Sequence, residues 1–457
     1  MNWLEFYEGR GLVVDLASGK VRQESLKPED AEAKVGGAAL NLALFQRYAE
    51  SDPIILSTGP LTASFAPGSC LAVMTAKSPV NGNLYHVPLT WQAGAELKFS
   101  GLDYLVLLAQ AAKPVMLRVL KGRADLTSAE TLWGKDIPET VRAVRSANPG
   151  DGRCILAVGP AGEGKTPYGQ VSQNFWGTLD KAGFGTVWGR KRLKALVMTG
   201  AGGRVKADSD HPALSRQLAE EIKKGMPAKM AGSMAILKRL GEKALAPGLL
   251  PSSGKHFACF HCPLPCQTFF ERKKSKAVLR LLLTDPGGAM AFHNRGKKAF
   301  DSLAECFRLG LEPMAAALCL ESAKGGGTDN PEAFLNLLQQ EEDLLKRGLP
   351  NIQKLAPWPG PENDVTAQAA KSSFSTGIPP IVPEGGPTGQ SSREWARCVT
   401  DSMILGVCPI LRLIASTLSE EKLIAFMGRD DKEIAVNMER LRRAARDLLG
   451  EMANPLS

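Results

Sequence analysis

The sequence predicts an α+β protein, in which a β-rich N-terminal domain is followed by mainly α-helical C-terminal domains. Short apolar runs of strand length, broken by Gly and Pro, occupy residues 1–205. Apolar residues at helical spacing dominate the chain after that point. The 457 residues are 44% hydrophobic and 23% charged, which is an ordinary globular composition with material for more than one core.

The predicted strands of the first domain follow one another at short intervals. They are GLVVDL (11–16), DPIILSTGPLT (52–62), CLAVMTAKSP (70–79), DYLVLLAQ (103–110), PVMLRVLKG (114–122), CILAVGP (154–160) and LKALVMTG (193–200). We expect these strands to form the sheets of the N-terminal domain.

The helical half divides into three predicted parts. Residues 206–354 form a helical domain with a cysteine-rich loop, and its helices are predicted at 213–226, 233–245, 303–323 and 331–348. Residues 355–393 are dense in Pro, Gly and Ser and are typical of a linker or long loop. Residues 394–457 carry Cys408 and two final helices, around 394–417 and 430–451.

The charge pattern argues against nucleic-acid and membrane roles. The formal net charge is +9, but Lys and Arg are spread along the chain and form no basic stripe with aromatics. That charge can equally serve docking to an acidic redox partner. No apolar run is long enough for a membrane helix, and the N-terminus resembles no export signal. We expect a soluble, cytoplasmic protein.

Three of the nine cysteines are clustered. Cys259, Cys262 and Cys266 give C-x2-C-x3-C in HFACFHCPLPCQTFF, where Pro263 and Pro265 impose irregular backbone that can wrap a metal or cluster. An odd number of cysteines without an export signal favours metal or cluster ligation over disulfides.

A tight trio and one distant cysteine would supply the four thiolates that an iron–sulfur cube requires. Cys408, in LGVCPI, is the best fourth ligand because a proline follows it. The other cysteines lie in apolar helical or strand-like runs, and Cys306, Cys319 and Cys398 are interpreted as buried structural thiols. From spacing alone a zinc site stays open, with four thiolates or with the trio and either His256 or His261.

Residues 159–166, GPAGEGKT, match the phosphate-binding pattern G-x-x-x-x-G-K-[ST]. Such a loop needs a helix that starts at the Lys-Thr pair. The following residues, PYGQVSQNFWG (167–177), lack a helical apolar face, and no apolar strand that ends in Asp follows as a Mg²⁺ partner. We therefore do not expect an ATP site here.

The first domain resembles that of the aldehyde:ferredoxin oxidoreductase family, tungstopterin enzymes with a neighbouring [4Fe–4S] cluster. The matching words are VGGAALN (35–41), LSTGPLT (56–62) with APG (66–68), KSPVNG (77–82), GAELKFSGLDYLVL (94–107), LWGKD (132–136), AVGPAGEG (157–164) and GFGTVWGRKRLKALVMTG (183–200). The resemblance implies a double β sheet in this domain. It also implies that Cys259, Cys262, Cys266 and Cys408 bind one [4Fe–4S] cluster, because they fall where the family keeps its cluster ligands.

Other positions depart from the family pattern, in ways that indicate a shortened and degenerate member. Phe307 and Met403 stand where the family has pterin-binding aspartates, and Asp401 lies two residues too early to replace the second. Leu71 aligns with the arginine between cluster and pterin, and Pro88 with an asparagine.

Asp180 falls near the expected pterin phosphates, which a carboxylate would repel. His261, between two of the expected ligands, could tune the cluster by hydrogen bonding.

The sequence thus favours an iron–sulfur redox protein that has lost tungstopterin. We expect an electron-transfer or scaffold subunit of an oxidoreductase complex, with ferredoxin or other oxidoreductase subunits as partners. Its own active site is degenerate on this reading, and no catalytic residue is assigned. Two alternatives stay open: an active tungsten-dependent aldehyde or acid oxidoreductase, and a zinc-binding structural protein.

Overall fold

The structure is a computed structural model of the chain. It describes residues 3–79, 82–147, 150, 152–164, 166–200, 205–225, 232, 254–274, 277–283, 299–313, 315–316, 392–415 and 417–453. The predicted helices at 233–245 and 331–348 and residues 355–391 of the predicted linker lie outside the described residues, while the last two linker residues, Ser392 and Arg393, are helical.

A six-stranded sheet forms one layer of the N-terminal region. Its strands are β1 Arg10–Asp15, β2 Val21–Ser25, β3 Ile54–Thr58, β4 Ala72–Lys77, β5 Leu84–Leu89 and β6 Tyr104–Leu108, in the order β2-β1-β6-β3-β4-β5. β1 and β6 run parallel, with Gly11 opposite Tyr104, and the other neighbours are antiparallel. Pro88 lies on the edge strand β5, a position at which sheets accommodate proline.

A five-stranded sheet forms the second layer. Its strands are β7 Val115–Leu120, β8 Arg123–Ser128, β9 Cys154–Val158, β10 Val171–Gln173 and β11 Leu193–Thr199, in the order β10-β9-β11-β7-β8. β7 and β11 run parallel, and the other neighbours are antiparallel.

The two sheets share one core. Successive residues of a strand point to opposite faces of its sheet, and one face of each sheet lies in this core. Leu12 and Val14 of β1 join the same apolar cluster as Leu196 and Met198 of β11. The intervening Val13 faces a second cluster with the helices on the outside of the first sheet. This period of two explains why the strands are apolar almost throughout: both of their faces are covered.

Within the described residues, seven α-helices accompany the two sheets. They are α1 Pro28–Lys34, α2 Gly37–Arg47, α3 Ala93–Phe99, α4 Ile137–Ala147, α5 Pro160–Glu163, α6 Phe184–Arg190 and α7 His211–Gly225. Ala31 of α1 and Leu40 of α2 pack on the first sheet, while Val141 and Val144 of α4 pack on the second. Each sheet is thereby covered on its outer face as well as on the shared one.

The rest of the described chain adds a small sheet and five helices. Strands β12 Lys255–Phe257, β13 Gln267–Lys274 and β14 Ala277–Leu283 form an antiparallel sheet in that order. The helices are α8 Ala299–Leu309, α9 Ser392–Leu405, α10 Pro409–Ile414, α11 Glu420–Ile424 and α12 Asp431–Ala453. An apolar cluster joins α9, α10 and α12 to α2 and to the cysteine loop, so the C-terminal helices close over the N-terminal region.

The predicted fold class is confirmed: two mixed sheets dominate the N-terminal region and helices dominate the C-terminal one. All seven predicted strands are present, within a few residues of their predicted ends. The sheet β12-β13-β14 is an addition, because the sequence analysis predicted only a loop and helices around the cysteines. The domain boundaries at 205, 354 and 393 stay predictions.

Candidate metal centre

The clustered cysteines lie in the loop 258–266, which joins the antiparallel strands β12 and β13. Pairing of Phe257 with Gln267 closes this loop at its base. Within it, the Cys262 N–H donates to the Cys259 carbonyl at 3.1 Å, and the Cys266 N–H donates to the Leu264 carbonyl at 2.9 Å. Two consecutive tight turns therefore bring the three thiols together on a short stretch of irregular backbone.

Cys408 lies in the turn between α9 and α10. Gly406 has φ +84°, a left-handed conformation that ends α9. The N–H groups of Gly406 and Val407 both donate to the Ser402 carbonyl at 3.0 Å. Pro409 then starts α10, with Cys408 as its N-terminal flanking residue. The glycine turn and the proline fix where this thiol lies.

Gly68 connects the two cysteine-bearing segments. Its N–H donates to the His261 carbonyl at 2.8 Å, and its carbonyl accepts from the Cys408 N–H at 2.9 Å. The residue has φ +75°, and a Cβ on it would lie 2.7 Å from the Leu411 side chain. The segment around Gly68 thus ties the loop 258–266 to the turn at Cys408, although the two are far apart in sequence.

The structure brings the four predicted ligands near one another in one apolar cluster, with Cys259 and Cys408 buried and Cys262 and Cys266 partly buried. Burial raises the pKa of Cys262, and the neighbouring Cys259 and Cys408 raise it further. Burial likewise raises the pKa of Cys266, with added contributions from the same thiols. The amide of Gln267 donates to the Cys259 sulfur at 3.6 Å. Thiols close enough to shift one another's pKa form a common site.

A fifth thiol, Cys70, belongs to this group and was missed by the sequence analysis. It is fully buried in the loop before β4, and its side chain hydrogen-bonds with Cys259 and Cys408. This hydrogen bond lowers the pKa of Cys408, whereas the pKa of Cys70 is raised well above its usual value by its bonds to both thiols. Its position directly before an apolar strand made it resemble core. The preceding Ala-Pro-Gly-Ser turn was the available indication of a loop.

The donor set fits an iron–sulfur cube. Within the described residues, no three His, Cys, Asp or Glu side chains are grouped as ligands of a single metal ion. A cube binds each thiolate through a different iron, so its ligands need not approach one another as closely as those around one ion. Two buried and two partly buried thiols on two segments, with an amide donor at one sulfur, are a donor set that fits such a cluster.

The remaining predictions for Cys and His residues have mixed outcomes. Cys306 and Cys398 are buried, as predicted, and Cys319 lies outside the described residues. The ring of His261 packs edge-on against Phe65, with centroids 5.1 Å apart. The backbone carbonyl of His261 accepts the hydrogen bond from the Gly68 N–H. Tuning of a cluster by the His261 ring stays a prediction.

Asp180 fills a nest of backbone amides. One carboxylate oxygen accepts from the Val171 and Gly185 N–H groups at 3.0 and 3.3 Å, and the other accepts from Ala182 and Phe184 at 3.0 and 3.3 Å. Burial raises the pKa of Asp180 to about 6, although the four amides act in the opposite direction. Amide groups that converge in this way at the start of a helix, here α6, are suited to bind an anion. In this chain their anion is a carboxylate of the protein.

The residues that replace the family's aspartates are engaged in packing. The buried ring of Phe307 lies directly against the backbone of Gly177, where any Cβ would clash with it. Met403 is fully buried on α9, and its carbonyl abuts Gly37. Asp401 is buried and pairs with Arg397 at 3.7 Å, and burial raises its pKa to about 6.

The segment that matches the phosphate-loop pattern has a different geometry from that of a nucleotide site. The short helix α5 ends at Glu163, before the Lys-Thr pair, and the chain enters strand β10 at Val171. The carboxylate of Glu163 is paired with the buried Lys194, and it also accepts from the Gly134 N–H at 2.7 Å. Among the described residues from Thr166 to Val171, no helix begins.

The N-terminal region is similar to a domain of known oxidoreductases. A model of the aldehyde ferredoxin oxidoreductase N-terminal domain matches residues 11–200. Over these residues the chain is similar to the aldehyde ferredoxin oxidoreductase family, which confirms the resemblance found in the sequence.

The curated relatives are longer than this chain. A tungsten-containing aldehyde ferredoxin oxidoreductase of Thermococcus kodakarensis is 32% identical over 208 residues, 44% of this chain and 34% of the relative. A protein of the same description from Pyrococcus abyssi is 29% identical over 294 residues, 57% of this chain and 48% of the relative. An aliphatic sulfonate oxidoreductase, WOR-like subunit, of Pyrococcus furiosus is 26% identical over 43% of this chain and 35% of its own. The chain spans about half the length of the Pyrococcus abyssi relative and about a third of the length of the other two.

A solved structure has the same fold. It is described as the active site complex BamBC of benzoyl coenzyme A reductase with 1,5-dienoyl-CoA, and it aligns with a TM-score of 0.63 over 77% of this chain and 64% of that one. The aligned residues are 18% identical, so the likeness concerns the fold. Among the helices that the structure describes, none has the length and apolar character to cross a membrane.

Proposed function

We propose that the chain carries one [4Fe–4S] cluster on Cys259, Cys262, Cys266 and Cys408, and serves as an electron-transfer or scaffold subunit of an oxidoreductase complex. The observation that carries this proposal is the grouping of four thiols from two distant segments in one apolar cluster, where two of them are buried and two partly buried. When bound, such a cube takes up and releases single electrons.

The protein's own groups would hold the cube and keep it from water. The loop 258–266 supplies three thiolates, and the turn at Gly406 supplies the fourth. The Gln267 amide donates to the Cys259 sulfur, and such donors favour the reduced state of a cluster. Apolar residues of the surrounding core, among them Leu264 and Leu411, enclose the thiols. A protein sets the potential of a cluster through the cluster's exposure to water and through hydrogen bonds to its sulfurs.

We further propose that this chain has lost tungstopterin. The Asp180 carboxylate accepts hydrogen bonds from amides that could otherwise bind an anionic group. Its negative charge would repel a second anion at this place. The ring of Phe307 packs against Gly177 at the same turn. Asp401 is engaged with Arg397 and is not available as a replacement for the aspartate lost at Met403. Changes at several independent positions thus each disfavour the binding of pterin.

Membership of a complex is supported by the relatives and by charge. One relative is described as a WOR-like subunit, and the structural neighbour is a complex of two components. The formal net charge of +9 suits an acidic redox partner such as a ferredoxin or another oxidoreductase subunit. We assign the protein to the cytoplasm, because that compartment keeps thiols reduced for cluster assembly.

Metal analysis after anaerobic purification of the whole chain tests the proposal. We expect a brown protein with about four Fe per chain and neither W nor Mo. Stoichiometric W or Mo would overturn the loss of pterin and indicate an active tungsten-type enzyme. Zinc without iron would overturn the cluster and indicate a structural site.

A further inference from the structure

We propose that a row of four aromatic side chains beside the cysteine loop is the face on which a small acidic electron-carrier protein docks and exchanges single electrons with the cluster. The four residues, in order along the surface, are Phe175, Trp176, Phe269 and Phe257, and we call them the aromatic row. This inference rests on the proposed function and adds to it the surface that the partner uses.

The rings of the aromatic row are in contact from one end to the other. The ring centroids are 5.9 Å apart for Phe175 and Trp176, and 5.7 Å apart for Trp176 and Phe269. Those of Phe269 and Phe257 are 6.4 Å apart. All three contacts are edge-to-face, a geometry that aromatic pairs prefer. The row therefore runs from the residues after β10, in the second sheet, across β13 to β12.

The aromatic row lies at the surface. Phe257 is 42% exposed, and within the described residues it is the only aromatic side chain among the exposed large apolar ones. The other three rings are partly exposed. The opposite face of the sheet β12-β13-β14 is covered, since the cross-strand neighbours Phe270 and Leu281 are buried. Phe and Trp that are left at a surface in this way are typical of protein interfaces.

The aromatic row also lies next to the proposed cluster. Phe257 pairs with Gln267 across β12 and β13, so their side chains point to the same face of the sheet. The Gln267 amide donates to the Cys259 sulfur at 3.6 Å. Phe257 is only two residues before Cys259, which limits the distance between their Cα atoms to about 7 Å. A carrier seated on Phe257 would thus come close to one of the expected ligand sulfurs.

Positive charge is concentrated in the segment that forms this sheet, although Lys and Arg occur along the whole chain. Residues 255–280 contain six of them and one acidic residue, which gives a formal net charge of +5 out of +9 for the chain. Two of the six are in ion pairs, Arg280 with Glu271 at 3.0 Å and Arg272 with Asp301. The segment keeps an excess of positive charge when these pairs are taken into account.

Exposed cations lie at both ends of the aromatic row. Lys255 is exposed on β12, directly opposite Phe269. At the other end, the guanidinium of the exposed Arg145 lies 5.1 Å from the centroid of the Phe175 ring. These charges would attract an acidic carrier and speed its encounter, while the rings supply the apolar centre of the contact. Redox partners typically meet through small, transient interfaces of this kind.

The exchange on this face is a transfer of one electron. The reduced carrier loses one electron and the cluster gains it, without transfer of a proton or a chemical group. The same contact serves the reverse direction, in which the cluster is oxidised and the carrier is reduced.

An acidic bacterial two-cluster ferredoxin is the probe that tests this inference on the full, cluster-loaded chain. Phe257→Ser removes the exposed ring, and Lys255→Glu reverses an exposed charge. The matched controls are Leu120→Ser and Arg123→Glu. They change an exposed apolar residue and an exposed cation on β7 and β8, at the edge of the second sheet opposite to β10.

Two measurements are made on each variant. Calorimetric titration with oxidised ferredoxin gives the Kd without any electron transfer, and stopped-flow mixing with reduced ferredoxin gives the rate constant of cluster reduction. We expect the Kd to rise and the rate constant to fall by about tenfold in Phe257→Ser and Lys255→Glu, and both to stay near wild type in the controls. Iron content and the rate of reduction by dithionite, which needs no protein docking, should be unchanged in all four variants.

The outcomes separate this inference from the proposed function. Wild-type Kd and rate in both Phe257→Ser and Lys255→Glu would overturn the docking face and leave the cluster proposal intact. The same holds if the cluster-loaded wild-type chain does not bind the ferredoxin, or if the controls lose as much affinity. Loss of iron or slower reduction by dithionite in these two variants would also overturn it, because the changes would then act on the cluster site. Absence of iron from the wild-type chain would reject the cluster itself, and with it this inference.

Discussion

Cys408 donates its backbone N–H to the carbonyl of Gly68 at 2.9 Å, and this bond joins the C-terminal helices to the N-terminal region at the candidate metal centre. The N–H of Gly68 binds the loop of the other three cysteines through His261. The turn that carries Cys408 and the loop that carries the other three cysteines both bond to the backbone of Gly68. This shared contact holds the fourth thiol next to the other three. This arrangement makes the site depend on Cys408 and on the turn that presents it.

Replacement of Cys408 by Ser should remove most of the bound iron. A hydroxyl is a far poorer ligand than a thiolate for iron in a sulfur cluster, and the substitution leaves the size of the side chain nearly unchanged. We expect bound iron to fall from about four to below about one per chain, with loss of the brown colour. Iron analysis and visible absorption measure this.

The matched control for that substitution is Cys398→Ser, on the same helix pair. Cys398 is also buried, but its charged neighbours are Arg412, Asp401 and Glu420. The Cys398→Ser variant should keep its iron. If Cys408→Ser retains a full complement of iron and Cys398→Ser does not, the fourth ligand is Cys398.

Gly406→Ala should destabilise the protein and disturb the site. Gly406 has φ +84°, and a Cβ there would clash with the Thr62 hydroxyl and lie 2.9 Å from the Gly59 nitrogen. The left-handed conformation costs about 1–2 kcal/mol for alanine, and overpacking adds about 1–3 kcal/mol. We expect the free energy of unfolding to fall by about 3 kcal/mol, together with reduced iron content. Chemical denaturation and iron analysis would show this.

A second glycine separates the two contributions in that prediction. Gly19 has φ +72°, but nothing lies within 4 Å of a Cβ placed on it. Gly19→Ala should therefore cost only about 1 kcal/mol and leave iron content unchanged. Equal losses in the two variants would show that the close approach of the turn to Thr62 has no energetic role.

The sequence predicted strands that are buried on both faces better than strands at the edges. β9 Cys154–Val158 is apolar throughout because helices cover one face and the other sheet covers the second. β2 Val21–Ser25 and β8 Arg123–Ser128 are edge strands with many polar, exposed residues, and no apolar run marks them. Their pairing depends on neighbouring strands, which a local pattern does not contain.

The candidate site divides in a similar way. The trio and Cys408 could be predicted because short spacing, prolines and a family pattern all pointed to them. Cys70 could not, because its thiol meets Cys259 and Cys408 only through the close packing of three chain segments. For Asp180 the sequence predicted repulsion of phosphate. The structure adds that four amides from separate parts of the chain already bind the carboxylate.

Asp180 should make the stability depend on pH. Burial raises its pKa to about 6, against about 3.9 for an unfolded chain, so between these values the folded protein binds more protons. The free energy of unfolding should accordingly fall as the pH rises from about 4 to about 6, by up to about 3 kcal/mol from this group. Asp401, with its pKa also raised to about 6, acts in the same direction.

Asp180→Asn tests this pH dependence through urea denaturation at several pH values. The amide does not titrate, so the fall between pH 4 and 6 should shrink to the part that Asp401 contributes. The partly exposed Asp15 has a pKa lowered by hydrogen bonding to Ser18, so Asp15→Asn should leave the fall in that range unchanged. An Asp180→Asn variant with the full wild-type pH dependence would contradict the assignment.

The ion pair of Lys98 and Asp103 should be among the most sensitive positions of the N-terminal region. Nζ and Oδ1 are 2.6 Å apart, and both side chains are almost fully buried. The carboxylate also accepts from the Gly9 N–H at 2.7 Å, so it anchors the start of β1. Lys98→Met leaves this charge buried without its partner, and we expect a loss of about 3–5 kcal/mol in chemical denaturation. Lys113→Met, which breaks an exposed pair with Glu130, should cost below about 1 kcal/mol. Similar losses in both variants would mean that burial of the first pair does not control its contribution.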